Sequence, residues 1–204
     1  DRVRLRPWSD HDLSRLVEGL ADWMSRPVDE SDANEWLSRR RPPQQDPQLV
    51  SWCIADLSTD EVVGSIDVFD IGRPVLPGGC ELGYWTHPDS RGNGLMTEAL
   101  RRLLPHLLGS PESGGLGLRR VTARTNELNV TSRSVLRGVG MRQWGVAPGA
   151  GIAPDGRAVS QIHFAMLAAD LDPALVSGQG VEPITLEGKG IRLREWRHTD
   201  VERV

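Results

Sequence analysis

The chain has 204 residues, 38% of them apolar and 25% charged, with 22 Gly and 14 Pro; this suits one ordinary, loop-rich domain with a sizeable core and excludes a disordered or fibrous chain. Its 24 basic and 28 acidic side chains give a net charge of −4, and no basic run exceeds Arg39-Arg40-Arg41, which argues against a phosphate-tracking nucleic-acid surface and suits a cationic substrate better. Cys53 and Cys80 both sit in apolar, strand-like runs, which supports neither a disulfide framework nor a cysteine metal site; with no leader-like segment and no stretch of about 18 apolar residues, a cytoplasmic protein is expected, without a membrane span.

Val3-Arg4-Leu5-Arg6 alternates apolar and charged residues and stops at Pro7, which predicts a short edge strand with an exposed charged face. Ser9 or Asp10 can cap a helix carrying Leu13, Leu16, Val17 and Leu20, and Ser31 or Asp32 a second carrying Trp36 and Leu37. Leu49 to Leu57 and Val62 to Phe69 are apolar, β-branched runs joined by the polar turn Ser58-Thr59-Asp60-Glu61, and a third strand is predicted from Cys80 to Thr86 after a Gly/Pro loop. From Leu95 to Leu107 the apolar spacing is that of an amphipathic helix, with Pro105 expected to kink or end its last turn. Arg120 to Thr125 reads as a strand, Thr131 to Val139 as a helix closed by Gly140, and Met141 to Val146 with Val159 to Leu167 as a hairpin around Pro154-Asp155-Gly156-Arg157.

After Asp170 the chain is linker-like, and then Ile191-Arg192-Leu193-Arg194-Glu195-Trp196 repeats the pattern Val3-Arg4-Leu5-Arg6-Pro7-Trp8, with aspartate and arginine recurring further on in register. The expected organisation is a domain over residues 1–171, a linker over 172–183, and over 184–204 either the start of a truncated second copy or a C-terminal tail.

The most informative stretch is Glu81-Leu-Gly-Tyr-Trp-Thr-His-Pro-Asp-Ser-Arg-Gly-Asn-Gly-Leu-Met-Thr-Glu-Ala-Leu100. It reads as strand, turn, Gly-rich loop and helix, an arrangement in which Gly92 and Gly94 let the backbone turn and the helix start offers free N–H groups and a positive dipole end to a diphosphate. There is no Lys-Ser/Thr pair as in nucleotide-hydrolase loops, and the third glycine of the dinucleotide fingerprint is missing.

These residues resemble the Gcn5-related N-acetyltransferases (GNAT), whose acetyl-CoA loop reads Gln/Arg-x-x-Gly-x-Gly/Ala; Arg91, Gly94 and Met96 stand at those positions, Met96 departing from the small residue. The run Gly94 to Leu100, the segment Asn129-Val-Thr-Ser132…Leu136…Gly140-Met141 and the closing Pro154-Asp-Gly-Arg157 hairpin are similar to the ribosomal-protein N-terminal acetyltransferase branch. The resemblance covers about residues 3 to 171. It implies an α/β (α+β) GNAT-like fold: a mixed, mostly antiparallel sheet with helices on both faces and splayed fourth and fifth strands.

The resemblance further implies an acetyl-CoA-dependent N-acetyltransferase acting on a primary amine, either a protein N-terminus or a small molecule, by direct attack on the thioester. The diphosphate would lie along Arg91, Gly92, Asn93, Gly94, Leu95, Met96 and Thr97, the pantetheine would pass Trp85 and Thr86 between the splayed strands, and Asn129 and Ser132 would contact the cofactor; Asn129 also suits a helix N-cap. Many members use a tyrosine in the helix after the fifth strand as the acid, but residues 126 to 144 contain none. Ser132 takes that place, with Ser134 as a lesser alternate, and Glu81 is the candidate base beside His87, expected at the surface, and His163. Trp23, Asp32 and Trp36, with Asp22, Asp29, Glu30 and Glu35, would wall the acceptor site and attract an ammonium by charge and cation–π contact. No metal is expected, and a homodimer or packing against a second repeat is possible. The competing reading, motivated by the missing tyrosine and the repeated start, is a non-catalytic CoA-binding or structural module of a tandem protein.

Overall fold

The computed structural model describes residues 2–41, 48–71, 76–153 and 155–171, and the backbone of 186–188 and 191–193. Strands β1 (Val3–Arg6), β2 (Val50–Asp56), β3 (Val62–Phe69), β4 (Gly79–Thr86), β5 (Arg120–Asn126), β6 (Arg142–Ile152) and β7 (Ala158–Leu167) form one sheet in the order β1-β2-β3-β4-β5-β7-β6. All neighbours are antiparallel except β4 and β5, which run parallel. Helices α1 (Leu13–Met24) and α2 (Glu30–Ser38) follow β1, α3 (Leu95–Leu108) connects β4 to β5, and α4 (Val130–Gly138) follows β5.

Because β2 and β3 are buried on both faces, their side chains divide between two cores rather than alternating apolar and polar. Trp52, Ile54, Ile66 and Val68 join Leu100, Leu103, Leu104 and Leu107 of α3 and Leu136 of α4. Cys53, Ala55, Val62 and Trp85 pack instead with Leu16, Leu20, Ala33 and Leu37 of α1 and α2. Gly19 sets how closely α1 lies on the sheet, since a Cβ there would fall 2.4 Å from the Trp85 ring. Both cysteines are free and buried, and burial pushes the Cys80 thiol up to about 12.

Several expectations need correction. The charged face of β1 is not open: Arg6 is 8% exposed and its guanidinium meets the Asp12 carboxylate at 2.7 and 2.9 Å and Asp60 at 2.8 Å. Helix α2 starts two or three residues earlier than a cap at Ser31 or Asp32 implies, capped by Asp29, whose Oδ1 accepts from Asp32 N at 2.9 Å, because Asp29 and Asp32 have the spacing of a reciprocal capping box. Pro105 does not end α3, which continues to Leu108 and closes with Gly109 N donating to Pro105 O at 2.8 Å; only the bond its own missing N–H would make is lost, one turn from the end. Strand β6 runs on past Val146 to Ile152, with register shifts between Gln143 and Gly145 and between Ala147 and Gly151 that absorb Trp144 and Pro148 as bulges on an edge strand.

The predicted linker over 172–183 lies outside the described residues. Beyond it, β8 (Leu186–Gly188) and β9 (Ile191–Leu193) pair antiparallel. Among the described residues no helix is long and apolar enough to cross a membrane.

The Arg6–Asp12 pair is buried, with side-chain exposures of 10% and 4%, and Asp12 also accepts from Ser9 N at 2.8 Å. Removing one partner strands a buried charge, so Asp12→Ala is expected to destabilise the fold by about 3–5 kcal/mol in denaturant unfolding; a loss below about 1 kcal/mol would show that solvent replaces the carboxylate.

Candidate active site

The ladder between β4 and β5 spans Gly79↔Arg120 to Leu82↔Ala123 and stops there. Both strands continue on their outer neighbours: β4 stays paired to β3 as far as Thr86, and β5 to β7 as far as Asn126. Their C-terminal halves therefore part, and the opening is a cleft of about 360 Å³ lined by Trp23, Tyr84, Trp85, Thr86, Arg91, Met96, Asn129, Thr131, Ser132 and Val135. An adjoining cavity of about 270 Å³ shares Thr86, Arg91, Met96, Thr131 and Val135 and reaches Gly92, Gly94, Leu95, Thr97 and Ser134.

The loop into α3 is shaped by its glycines. Gly92 and Gly94 have φ of +76° and +74°, a region that strains any other residue, and a Cβ on Gly92 would meet nothing within 4 Å. Gly94 caps α3 without a side-chain hydrogen bond. The first-turn amides of Leu95, Met96 and Thr97 have no carbonyl one turn back in the helix, so they face the loop's open side as donors for an anion.

Three long-range contacts hold this mouth. Arg91 donates from Nε to Thr86 O at 3.2 Å and pairs with Asp22 of α1. Arg2, ahead of β1, donates from its amide to Glu98 Oε1 at 2.6 Å and from its guanidinium to Asn93 O at 2.9 Å. Burial alone would raise the Glu98 carboxyl, but the bonds from Arg2 prevail and hold it below its usual range.

His87 is buried at 1% exposure, correcting the expected surface position. Its Nδ1 accepts weakly from Asp89 N at 3.4 Å, and its Nε2 lies 3.4 Å from Glu18 Oε2. Arg15 already supplies the cation of this cluster, donating to Asp89 at 2.9 Å.

The candidate residues fall into three places. Tyr84, Ser132 and Asn129 meet in the cleft. Asn129 Oδ1 accepts from Ser132 N at 2.9 Å and so caps α4 while also lining the cleft. Ser132 uses its hydroxyl not for capping but toward Tyr84, whose phenol oxygen lies 2.8 Å from Ser132 Oγ. Burial pushes the Tyr84 phenol up to about 12, against the opposing effect of the bond to Ser132. Glu81 is three residues before Tyr84 on β4, hence on the opposite face of the sheet, and pairs with Arg124 Nε at 2.7 Å. His163 is set across from Arg124 on that same face, edge-on to Trp144 with ring centroids 5.4 Å apart. Trp23, 51% exposed, joins the cleft. Asp32 and Trp36 belong to a separate pocket, where Asp32 pairs with Arg26 at 3.0 Å and the Trp36 ring carries Arg40 at 3.7 Å.

Sequence reasoning missed Tyr84 and Arg2. Tyr84 is the chain's single tyrosine, and its even spacing with Leu82 and Thr86 was the available signal that it faces α3 and α4. For Arg2 no local signal existed, because its partners lie more than 90 residues away.

The acetyltransferase (GNAT) domain family matches residues 2–142. The chain belongs to this family and is an N-acetyltransferase that uses acetyl-CoA. No curated protein sequence matches it. Among solved structures it is similar to a GNAT-family acetyltransferase from Bacillus anthracis, with 18% identity, a TM-score of 0.67 and coverage of 83% of this chain and 96% of that one. Mycobacterium smegmatis RimJ, solved with CoA-disulfide, gives 23% identity and a TM-score of 0.69 over 85% and 86% of the two chains. A chimera of Vibrio cholerae spermidine N-acetyltransferase SpeG with hSSAT gives 16% and 0.67 over 83% and 97%. At these identities the likeness is one of fold.

Burial lowers the His87 pKa from 6.5, and Arg15 lowers it further, against the pull of Asp89 and Glu18. As pH falls through 6.5 the unfolded chain takes up this proton first, so the stability tied to neutral His87 is present above that pH and is lost as the pH drops toward the lower folded value. Thermal unfolding between pH 7.5 and 5 is expected to show a smaller loss of stability in His87→Asn than in the wild type; equal losses would contradict the assignment.

Proposed function

We propose that this chain transfers the acetyl group of acetyl-CoA to a primary amine, a protein N-terminus before a small-molecule amine, by direct attack on the thioester. The observation that carries the reading is the parting of β4 and β5 beyond Leu82 and Ala123, which opens a cleft bounded by the first turns of both α3 and α4. Acetyl-CoA supplies the activated acetyl thioester. The donors suited to its diphosphate are the backbone amides from Gly92 to Thr97, with Arg91 adding charge once it leaves Asp22. Trp85, Thr86 and Met96 wall the path of the pantetheine, and Asn129 fixes the first turn of α4 beside it.

In this reading the Ser132 hydroxyl gives a proton to the departing thiolate. Glu81 receives the proton lost by the amine, through water, from the opposite side of the sheet; its bond to Arg124 keeps the carboxylate oriented. The separation of the two roles by the sheet suits a reaction in which amine and thiol occupy opposite sides of one carbonyl carbon. Trp23 offers an exposed indole face to an ammonium at the cleft rim. Asp32 and Trp36 already hold Arg26 and Arg40 and serve the fold first. The match of the loop, the Asn129–Ser132 segment and the hairpin to the ribosomal-protein N-terminal acetyltransferases supports a protein N-terminus as acceptor. We also read residues 184–204 as the start of a second copy, in which β9 begins at Ile191 as β1 begins at Val3.

Saturating acetyl-CoA, at about a hundred times its dissociation constant, is expected to stabilise the chain by roughly 2.7 kcal/mol and raise its Tm by about 5–10 °C. Gly94→Val, strained at positive φ and filling the loop, is expected to abolish the rise. Free thiol release is then measured with peptides bearing free or blocked N-termini and with polyamines; only free amines should support it, and Ser132→Ala should lower kcat about 100-fold. A Tm rise with no thiol release on any amine would favour the CoA-binding module instead.

A further inference from the structure

We propose that Tyr84 is a positioning residue for Ser132: its phenol donates to Ser132 Oγ and so leaves the serine's own proton directed into the cleft. The inference rests on the reading of Ser132 as the group that protonates the leaving thiolate. A serine hydroxyl has one proton and two lone pairs, and a phenol has one proton. The two oxygens, 2.8 Å apart, can share only one proton between them. In one arrangement Tyr84 donates to Ser132 Oγ and the serine proton is free. In the other Ser132 donates to Tyr84, and the phenol proton turns to the Ser132 carbonyl, which lies further off at 3.3 Å. The 2.8 Å contact is made in both arrangements; negative charge growing on sulfur favours the first, because only there is the serine proton free to meet that charge.

The surroundings fix the pair from both ends. The Ser132 amide is held by Asn129 Oδ1, which fixes the backbone from which the hydroxyl projects. Tyr84 is held in β4 by its pairing with Ile66 of β3. With its phenol pushed up to about 12, Tyr84 keeps its proton across the neutral range, so it is a standing donor and not the acid itself. In the transfer, the carbon–sulfur bond breaks with its electron pair on sulfur and the Ser132 proton passes to that sulfur. The amine nitrogen releases one proton through water to Glu81 on becoming an amide, and Glu81 then gives up a proton through water that restores Ser132; Tyr84 gains and loses none.

The test is a double-mutant cycle of Tyr84→Phe and Ser132→Ala, reading kcat, KM for acetyl-CoA and Tm. Tyr84→Phe is expected to lower kcat about 5- to 20-fold with KM within twofold, and the double variant to be no slower than Ser132→Ala alone, as expected of residues acting as one unit. Wild-type kcat in Tyr84→Phe, or losses that multiply in the double variant, would overturn the positioning role and leave the Ser132 reading intact. Wild-type kcat in Ser132→Ala would overturn both. Because Tyr84 is the chain's single tyrosine, the 13Cζ resonance of tyrosine-labelled protein reports its hydrogen bond without mutating it. That resonance should shift in folded Ser132→Ala, and an unchanged position would also overturn the proposal.

Discussion

The site depends on one departure from regular pairing: β4 and β5 share a ladder only from Gly79↔Arg120 to Leu82↔Ala123. A parallel pair inside a mostly antiparallel sheet needs a helical crossover, here α3, and each member has an antiparallel neighbour on its outer side. Those outer ladders run to the strand ends, through Gly64↔Thr86 and Asn126↔Gln161. Sheet twist therefore accumulates at the one boundary that can open. The result is an opening at the C-terminal ends of the two parallel strands, where the helix following each strand, α3 and α4, also begins. Backbone donors from one helix start and a hydroxyl from the other thus arrive at the same gap without any long-range motif to bring them together.

The walls of that gap are held by close packing and by paired charges. Gly19 lets α1 rest on the ring of Trp85, which carries Asp22 and Trp23 to the rim. Arg91 ties that helix to the loop, and Arg2 ties the loop and the first turn of α3 to the end of β1. The arginine at the mouth is neutralised by a carboxylate that a diphosphate would replace, so anion binding and the position of α1 share one side chain. Three of the acidic residues of α1 and α2 are likewise engaged: Asp22, Asp32 and Glu35 each face an arginine of the chain itself.

What was legible in the sequence is what local chemistry dictates. The positive φ of Gly92 and Gly94, the Asn129 cap and the apolar period of α3 are properties of a few consecutive residues, and each was readable. Helices on both faces of the sheet were implied by the family resemblance. Features set by distant partners were not. His87, a polar residue before a proline, lies buried because Glu18, Asp89 and Arg15 from two elements close around it. The extension of β6 depends on β7 tolerating two bulges, and the survival of α3 through Pro105 on the helix having only one turn left. Tyr84 lies on β4 and not on the helix after β5, and its phenol reaches the first turn of that helix from the side.

The most direct test of the account is a crystal structure of the chain with CoA bound. The diphosphate is expected within hydrogen-bond distance of the backbone amides between Gly92 and Thr97, the pantetheine between β4 and β5 beyond Leu82, and the thiol sulfur beside the Ser132 hydroxyl. A diphosphate bound elsewhere, or a sulfur on the far side of the sheet from Ser132 and Tyr84, would contradict it.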